Sequence, residues 1–313
     1  MVRYIKKVFI FFLLIVLIDL LCGYFFQYLR VQAKGGDTHK NYYIGEMCID
    51  DVLILGSSRA ARHYNPIVFE DSLGMSCYNC GEPGCGIITA YARYKMIISR
   101  HKPKLIIYEL TPSFDYLKTD DYSKYLGRVR QYSYKPEIKH MFIQLGDKLE
   151  RLRLLSNLYV NNSFILFNVL DYINRKDDNA NKGFYALDGS MRADAKPGCW
   201  EKKNEIDVDS IKLSYIESLI SQTRNDSIPI CFILSPKFLE YTGEKNTALD
   251  HEPIVKLCKR YDVPFINHIY MKGISDNPKL FQDYEHMNYR GATAYSDSIC
   301  KELKEILYKD SKK

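Results

Sequence analysis

Two short stretches of this sequence carry side chains able to do chemistry together. The first, Gly56-Ser57-Ser58-Arg59, directly follows the apolar run Asp51–Leu55 and opens a helical stretch. A serine at a strand-to-helix turn is presented at the carboxyl edge of a sheet. It sits beside helix N–H groups that lack intrahelical acceptors and can stabilise a developing oxyanion. The same residue types also serve ordinary folds, glycine as a turn residue and serine as an N-cap. The second stretch, Asp283-Tyr284-Glu285-His286-Met287-Asn288-Tyr289-Arg290-Gly291, precedes the last helical segment. A carboxylate three residues before a histidine, on a loop, can reach the imidazole Nδ1–H and leave Nε2 facing a cleft. That is the base and its orienter in nucleophilic catalysis.

These residues need a scaffold that brings them together. Short continuous apolar runs at Asp51–Leu55, Met75–Tyr78, Lys104–Leu110, Ile228–Leu234 and Val263–Asn267 read as buried parallel strands. Helical stretches lie between and after them at Pro66–Ser72, Ile87–Arg100, Asp207–Thr223, Ala248–Tyr261 and Ala292–Tyr308. Strands alternating with helices predict an α/β fold, a three-layer sandwich around a parallel flavodoxin-like sheet. Parallel topology brings the loops after the first and last strands to one edge, so Ser58 and His286 converge there. The interval Pro112–Asp207 breaks the rhythm. It is too long for a crossover and reads as a mostly helical insertion, with helices near Pro136–Leu155 and Ser163–Arg175 and a Gly/Pro-containing stretch at Gly183–Trp200. Ligands of open α/β sheets bind at the carboxyl edge, so this insertion is expected to cap that edge and to serve substrate recognition or partner contact.

In these blocks the sequence resembles the SGNH (GDSL-type) hydrolase superfamily. Gly56-Ser57-Ser58 is similar to the first block, G-D-S, which places the nucleophile at Ser58 rather than Ser57. Asn79-Cys80-Gly81-Glu82-Pro83-Gly84 matches the second, N-x-G-x-x-G; Asp283 with His286, then Asn288 with Gly291, match the last, D-x-x-H followed by N-x-x-G. The resemblance covers residues 51–308 apart from the insertion 112–207. It implies a triad of Ser58, His286 and Asp283, an oxyanion hole that takes backbone N–H groups from Ser58 and Gly84, and no metal or cofactor. The third block departs from the pattern. Where G-x-N-D is expected, the chain has Glu109-Leu110-Thr111-Pro112-Ser113-Phe114-Asp115, with Ser113 or Thr111 left to replace the asparagine donor. Losing one such donor costs about 100–1,000-fold in rate.

The resemblance implies a serine esterase or O-acyltransferase acting on acylated cell-envelope carbohydrate, since related membrane-anchored members look divergent at the same block. The alternative is a non-catalytic carbohydrate-binding or assembly protein that keeps the fold. Arg59 and His63, on the first turns after Ser58, are candidates to bind substrate, against plainer roles as a salt-bridged arginine and a packing histidine. Lys237, after the fourth strand, is read as a substrate contact or a solvated lysine.

The N-terminus adds a membrane. Arg3, Lys6 and Lys7 precede Val8–Phe26, an apolar run about one bilayer thick with no small-residue cleavage site after it. Residues 1–30 are therefore expected to be an uncleaved single-pass anchor and 31–50 a linker. The domain from 51 to 308 is expected outside the cytoplasm, and 309–313 is a basic tail. Asp19 inside the span calls for a helix partner from another membrane protein, a water-facing position, or a depth from which it reaches the interface. The net charge of +6 is spread along the chain and matches no nucleic-acid module. The turn after the first strand is too poor in glycine to cradle a nucleotide phosphate. Nine cysteines, with Cys77, Cys80 and Cys85 close together, have no second C-x-x-C to make a metal site. They read as buried small residues or, outside the cytoplasm, as a disulfide.

Overall fold

All five apolar runs form strands of one parallel sheet: β1 (Val52–Gly56), β2 (Cys77–Asn79), β3 (Leu105–Glu109), β4 (Ile230–Leu234) and β5 (Phe265–Asn267), in the order β2-β1-β3-β4-β5. This is the flavodoxin-like order, and its topological switch point lies between β1 and β3. The computed structural model describes residues 1–118, 122–174, 179–198, 207–240 and 251–310.

In chain order the helices are α1 (Val2–Gln32), α2 (Gly36–Tyr42), α3 (Ser58–His63), α4 (Pro66–Leu73), α5 (Ile87–Ile98), α6 (Pro112–Asp115) and α7 (Ser123–Gly127). They continue with α8 (Pro136–Leu145), α9 (Glu150–Arg153), α10 (Asn157–Asn161), α11 (Ile165–Asn174), α12 (Ser210–Asn225), α13 (Glu252–Tyr261) and α14 (Tyr289–Asp310). The chain forms two compact units, one of Met1–Met47 with Asp121–Asn179, the other of Cys48–Asp120 with Ala180–Lys313.

The second unit holds the sheet. Its strands are apolar up to their last residue because both faces are covered. Val52, Ile54, Leu105, Ile107, Cys231 and Ile233 share one face and join a core with Tyr64, Phe69, Tyr295, Ile299 and Leu303 from α3, α4 and α14. The alternate residues Leu53, Leu55, Ile106, Tyr108 and Phe232 are equally buried, and α5 and α12 pack together beside them. Local signals mark the helix ends. Asn65 accepts from the N–H of Ile67 ahead of Pro66, and Asp209 accepts from Ile211 and Lys212 at the start of α12.

The first unit holds α1, α2 and α7–α11 of the insertion. The span expected to be linker, 31–50, is largely helical: α2 and a π-helical turn at Tyr43–Met47 occupy it. α1 packs on α10, α11 and α2. Of the expected insertion 112–207, only its two ends group with the sheet; residues 121–179 group with α1. The first residues of the expected helix Ala248–Tyr261, part of Gly183–Trp200 and the end of the basic tail lie outside the described residues. Among the described residues the eight cysteines are all free, and Cys77, Cys80 and Cys85 are buried; Cys199 lies outside them.

Candidate active site

The site starts where β1 ends. Gly56 has φ +134°, and a Cβ there would come within 2.4 Å of the Glu109 carbonyl oxygen, so only glycine lets β1 turn this close to β3. The chain then enters α3. Ser57 is buried and shares a hydrogen bond with Thr111 at the end of β3, Oγ to Oγ1 2.7 Å. Ser58 opens the helix half-exposed.

Across the cleft, the loop after Phe281 supplies the other two groups. His286 Nε2 lies 2.9 Å from Ser58 Oγ, and His286 Nδ1 lies 3.0 Å from Asp283 Oδ2. Asp283 Oδ1 also accepts from the N–H groups of Glu285 and His286, each at 2.8 Å. Burial alone would raise the Asp283 carboxyl, but these hydrogen bonds and the His286 ring hold it below its ordinary value. Fully buried Phe281 and Met287 pin the two ends of the loop. Gly291 closes the motif, because a Cβ there would strike the Leu280 carbonyl at 2.1 Å. Asn288 accepts from the Gly291 N–H at 3.1 Å and donates to the Lys279 carbonyl at 2.8 Å.

Gly84 is held nearby by its loop. Asn79 Nδ2 donates to the carbonyls of Ala60 (2.7 Å) and Tyr64 (2.9 Å), and its Oδ1 accepts from the Gly81 N–H. The Glu82 N–H reaches the Gly56 carbonyl at 3.0 Å. Gly81 lies so close to α3 that a Cβ would be 2.4 Å from the Ala61 nitrogen. A buried ion pair from Glu82 to Arg93 ties the loop to α5. Gly84 is exposed with φ +74°, a conformation that favours glycine.

Three residues expected at the substrate have other partners. Arg59 is 2% exposed; its guanidinium pairs with Glu109 at 2.6 Å and reaches the carbonyl of Leu110, so it is committed to the interior and not to the cleft. His63 is also buried. Its Nε2 accepts from the Met287 N–H at 3.0 Å, and its Nδ1 lies 2.7 Å from Ser235 Oγ. An N–H can only donate, so Nε2 must be bare, and Nδ1 carries the proton of the neutral ring and donates to Ser235. Ser235 then donates to Glu109 Oε1 at 2.9 Å. Burial, with the Arg59 charge beside it, pushes the His63 imidazole well below its usual value, which keeps that polarity. Glu109, Ser235 and His63 thus form a buried chain ending on the backbone of the residue after His286. Ser113 is exposed on α6; the contact it makes is through its carbonyl, to Lys212 Nζ at 3.2 Å. Thr111 is the third-block side chain held at the end of β1. Lys237 is ion-paired with Glu285 at 2.7 Å, inside the Asp283–His286 loop.

Sequence reasoning passed over three residues. Glu109 had a signal, a carboxylate inside a strand apolar on both sides, which must be paired when buried. Ser235 had none beyond standing at a strand end. Asp115 is fully buried, accepts from the Thr111 N–H (2.5 Å) and Tyr108 hydroxyl (2.7 Å), and is pushed by burial up to about 7. Among the described residues no group of three His, Cys, Asp or Glu side chains is arranged to hold a metal.

No protein-family model matches the chain, and no curated protein matches it. Solved structures do. A proposed lipolytic protein of the G-D-S-L family from Desulfitobacterium hafniense DCB-2 aligns with 80% of this chain and 98% of its own, at 9% identity and a TM-score of 0.38. A proposed acylhydrolase from Bacteroides fragilis NCTC 9343 aligns with 84% of this chain and 93% of its own, at 11% identity and a TM-score of 0.41.

Proposed function

We propose that this chain is a membrane-anchored serine hydrolase or acyl-transfer enzyme, acting on O-acylated carbohydrate of the cell envelope. The observation that carries the reading is the continuous relay from Ser58 Oγ through both nitrogens of His286 to Asp283, at 2.9 and 3.0 Å. Ser58 Oγ attacks the ester carbonyl while His286 Nε2 takes its proton, and Asp283 holds the resulting imidazolium. The N–H groups of Ser58 and Gly84 receive the oxyanion. His286 returns the proton to the departing alkoxide, which leaves an acyl-Ser58 ester. Water or a sugar hydroxyl, deprotonated in turn by His286, then takes the acyl group and frees Ser58.

The anchor belongs to this reading. α1 exceeds the apolar run at both ends, and its second half is built into the first unit: Phe26 and Leu29 are buried, and Arg30 donates to Asn161 Oδ1 at 2.5 Å. Such integration supports a retained helix over a cleaved signal; the proposal places the N-terminus inside and the site outside the cytoplasm, because long domains after an anchor translocate largely regardless of nearby charge. One observation favours a non-catalytic carbohydrate-binding or assembly role instead. The third block has no asparagine, and the Thr111 N–H is already taken by Asp115.

Covalent labelling with a fluorophosphonate separates the two. The enzyme reading expects wild type to label and Ser58→Ala not to. Absent labelling in wild type, or equal labelling in both, rejects it.

A further inference from the structure

The helices α9, α10 and α11 are built the wrong way round for water. α11 buries its polar side: Asn168 is fully buried against Thr38 Oγ1 at 3.2 Å, and Asp171 accepts from the Thr38 N–H at 2.9 Å. Its opposite side carries Leu166, Leu170 and Ile173, spaced i, i+4, i+7 on one face and 65%, 43% and 64% exposed. Leu152 and Leu155, in and just after α9, add to this surface at 66% and 71% exposed, and Leu158 of α10 continues it. A soluble unit has no reason to bury an asparagine while turning a leucine stripe outward.

Two of the helices that carry this surface, α10 and α11, pack on α1. Asp19 accepts from the Ser156 hydroxyl (2.7 Å), the Asn157 N–H and side-chain amide (2.8 and 3.0 Å) and the Leu158 N–H (3.0 Å). The carboxylate of the apolar helix therefore caps the start of α10. Its partner is intramolecular, supplied by the insertion rather than by another chain. The geometry also sets a depth. At about 1.5 Å per residue, Val8–Phe26 fills one hydrocarbon core, and Asp19 lies about 10 Å short of the Phe26 end. The start of α10 is at that level. With Val8–Phe26 across a bilayer, backbone N–H groups at that level would meet no bulk water, and Asp19 supplies the acceptor they need. Lys148, just before α9, and Arg151, within it, are exposed cations of the kind that meet lipid phosphates.

We propose that α9–α11 form a second membrane-contacting element, immersed in the acyl-chain and headgroup boundary of the leaflet crossed by the C-terminal half of α1. The inference rests on the reading of α1 as a membrane anchor. The test keeps the two apart, using the full chain in bilayers with the single tryptophan removed (Trp200→Phe). Tryptophan is then placed one site at a time at Leu13, Leu155 and Leu166, in lipid with and without acyl-chain bromine. All three are expected to lose more than half their emission in brominated lipid. Quenching at Leu13→Trp alone overturns the proposal and leaves the anchor standing. Should Leu155→Trp and Leu166→Trp resist both bromolipid and aqueous acrylamide, a second copy or another protein covers the face, and the proposal falls as well. No quenching at any of the three sites rejects the anchor and the proposal together.

Discussion

Asp283→Asn isolates what the carboxylate does for His286. In the structure Asp283 Oδ1 accepts two backbone N–H groups at 2.8 Å, while Oδ2 lies 3.0 Å from Nδ1. Asparagine can keep its oxygen on the two N–H groups, which places an NH2 where Oδ2 was. An NH2 facing Nδ1 forces that nitrogen to accept. The ring proton then moves to Nε2, which points at Ser58 Oγ and donates instead of accepting. The serine loses its base while the loop keeps its hydrogen bonds. In a buried triad this inversion costs on the order of 10⁴ in rate. The Asp283 side chain is 51% exposed, so water competes for the ring, and we expect a loss of about 10²–10³, equivalent to roughly 3–4 kcal/mol. The assay is the second-order rate of fluorophosphonate labelling at Ser58, run beside thermal melting. The midpoint should stay where it is. A labelling rate within threefold of wild type, or a loss that follows a drop in melting temperature, refutes the tautomer argument.

Two further outcomes follow from the buried polar groups. Glu109→Gln leaves the Arg59 guanidinium buried without its counter-charge and should cost about 3–5 kcal/mol in urea denaturation; adding Arg59→Met should recover part of it, and no recovery would deny the pairing its role. Burial, with the Arg59 and Lys237 charges adding to it, lowers His251 from 6.5 to about 3. A depressed histidine gives stability that is complete above pH 6.5 and lost as pH falls, because the unfolded chain takes the proton first; at pH 5 the loss is about 2 kcal/mol. The stability gap between wild type and His251→Phe should therefore narrow by about 2 kcal/mol from pH 7 to pH 5, and a constant gap would contradict a neutral buried ring.

The sheet was legible because its signal is local and redundant. Each strand is a short apolar run ended by a polar or glycine residue, and parallel burial on both faces demands that pattern. The pairing of Ser58 with His286 was legible for a topological reason, since loops after parallel strands share one edge whatever their distance in sequence. Arg59 and His63 misled because sequence position places them beside Ser58 but says nothing of which way a helix turns them. On α3 they face inward, where Glu109 and Ser235 await them from strands far along the chain. Such partners leave no spacing rule to read. The same holds for α2, whose polar residues Thr38 and Asn41 are buried and gave no apolar periodicity to find.

Asp19 and Glu109 show the same physics, one in each unit. Each is a carboxylate set in an apolar run, and each is tolerated only because donors from distant segments converge on it. Glu109 receives Arg59, Tyr64 and Ser235; Asp19 receives Ser156, Asn157 and Leu158. Neither set of donors could be named from spacing, yet the need for one was visible in both runs. In each case the charge does more than satisfy its donors. Through Ser235 and His63, Glu109 supports the backbone beside His286, so the loop carrying the base is anchored from beneath the sheet edge. Asp19 fixes the start of α10 to the apolar helix and with it the outward leucines that follow. On the proposed mechanism this leaves Thr111 as the pivotal departure. Its N–H is spent on Asp115, so any help it gives an oxyanion must come from its hydroxyl. That hydroxyl and Ser57 share one hydrogen bond but hold two protons between them, so Thr111 keeps a proton for an oxyanion only when Ser57 donates to it.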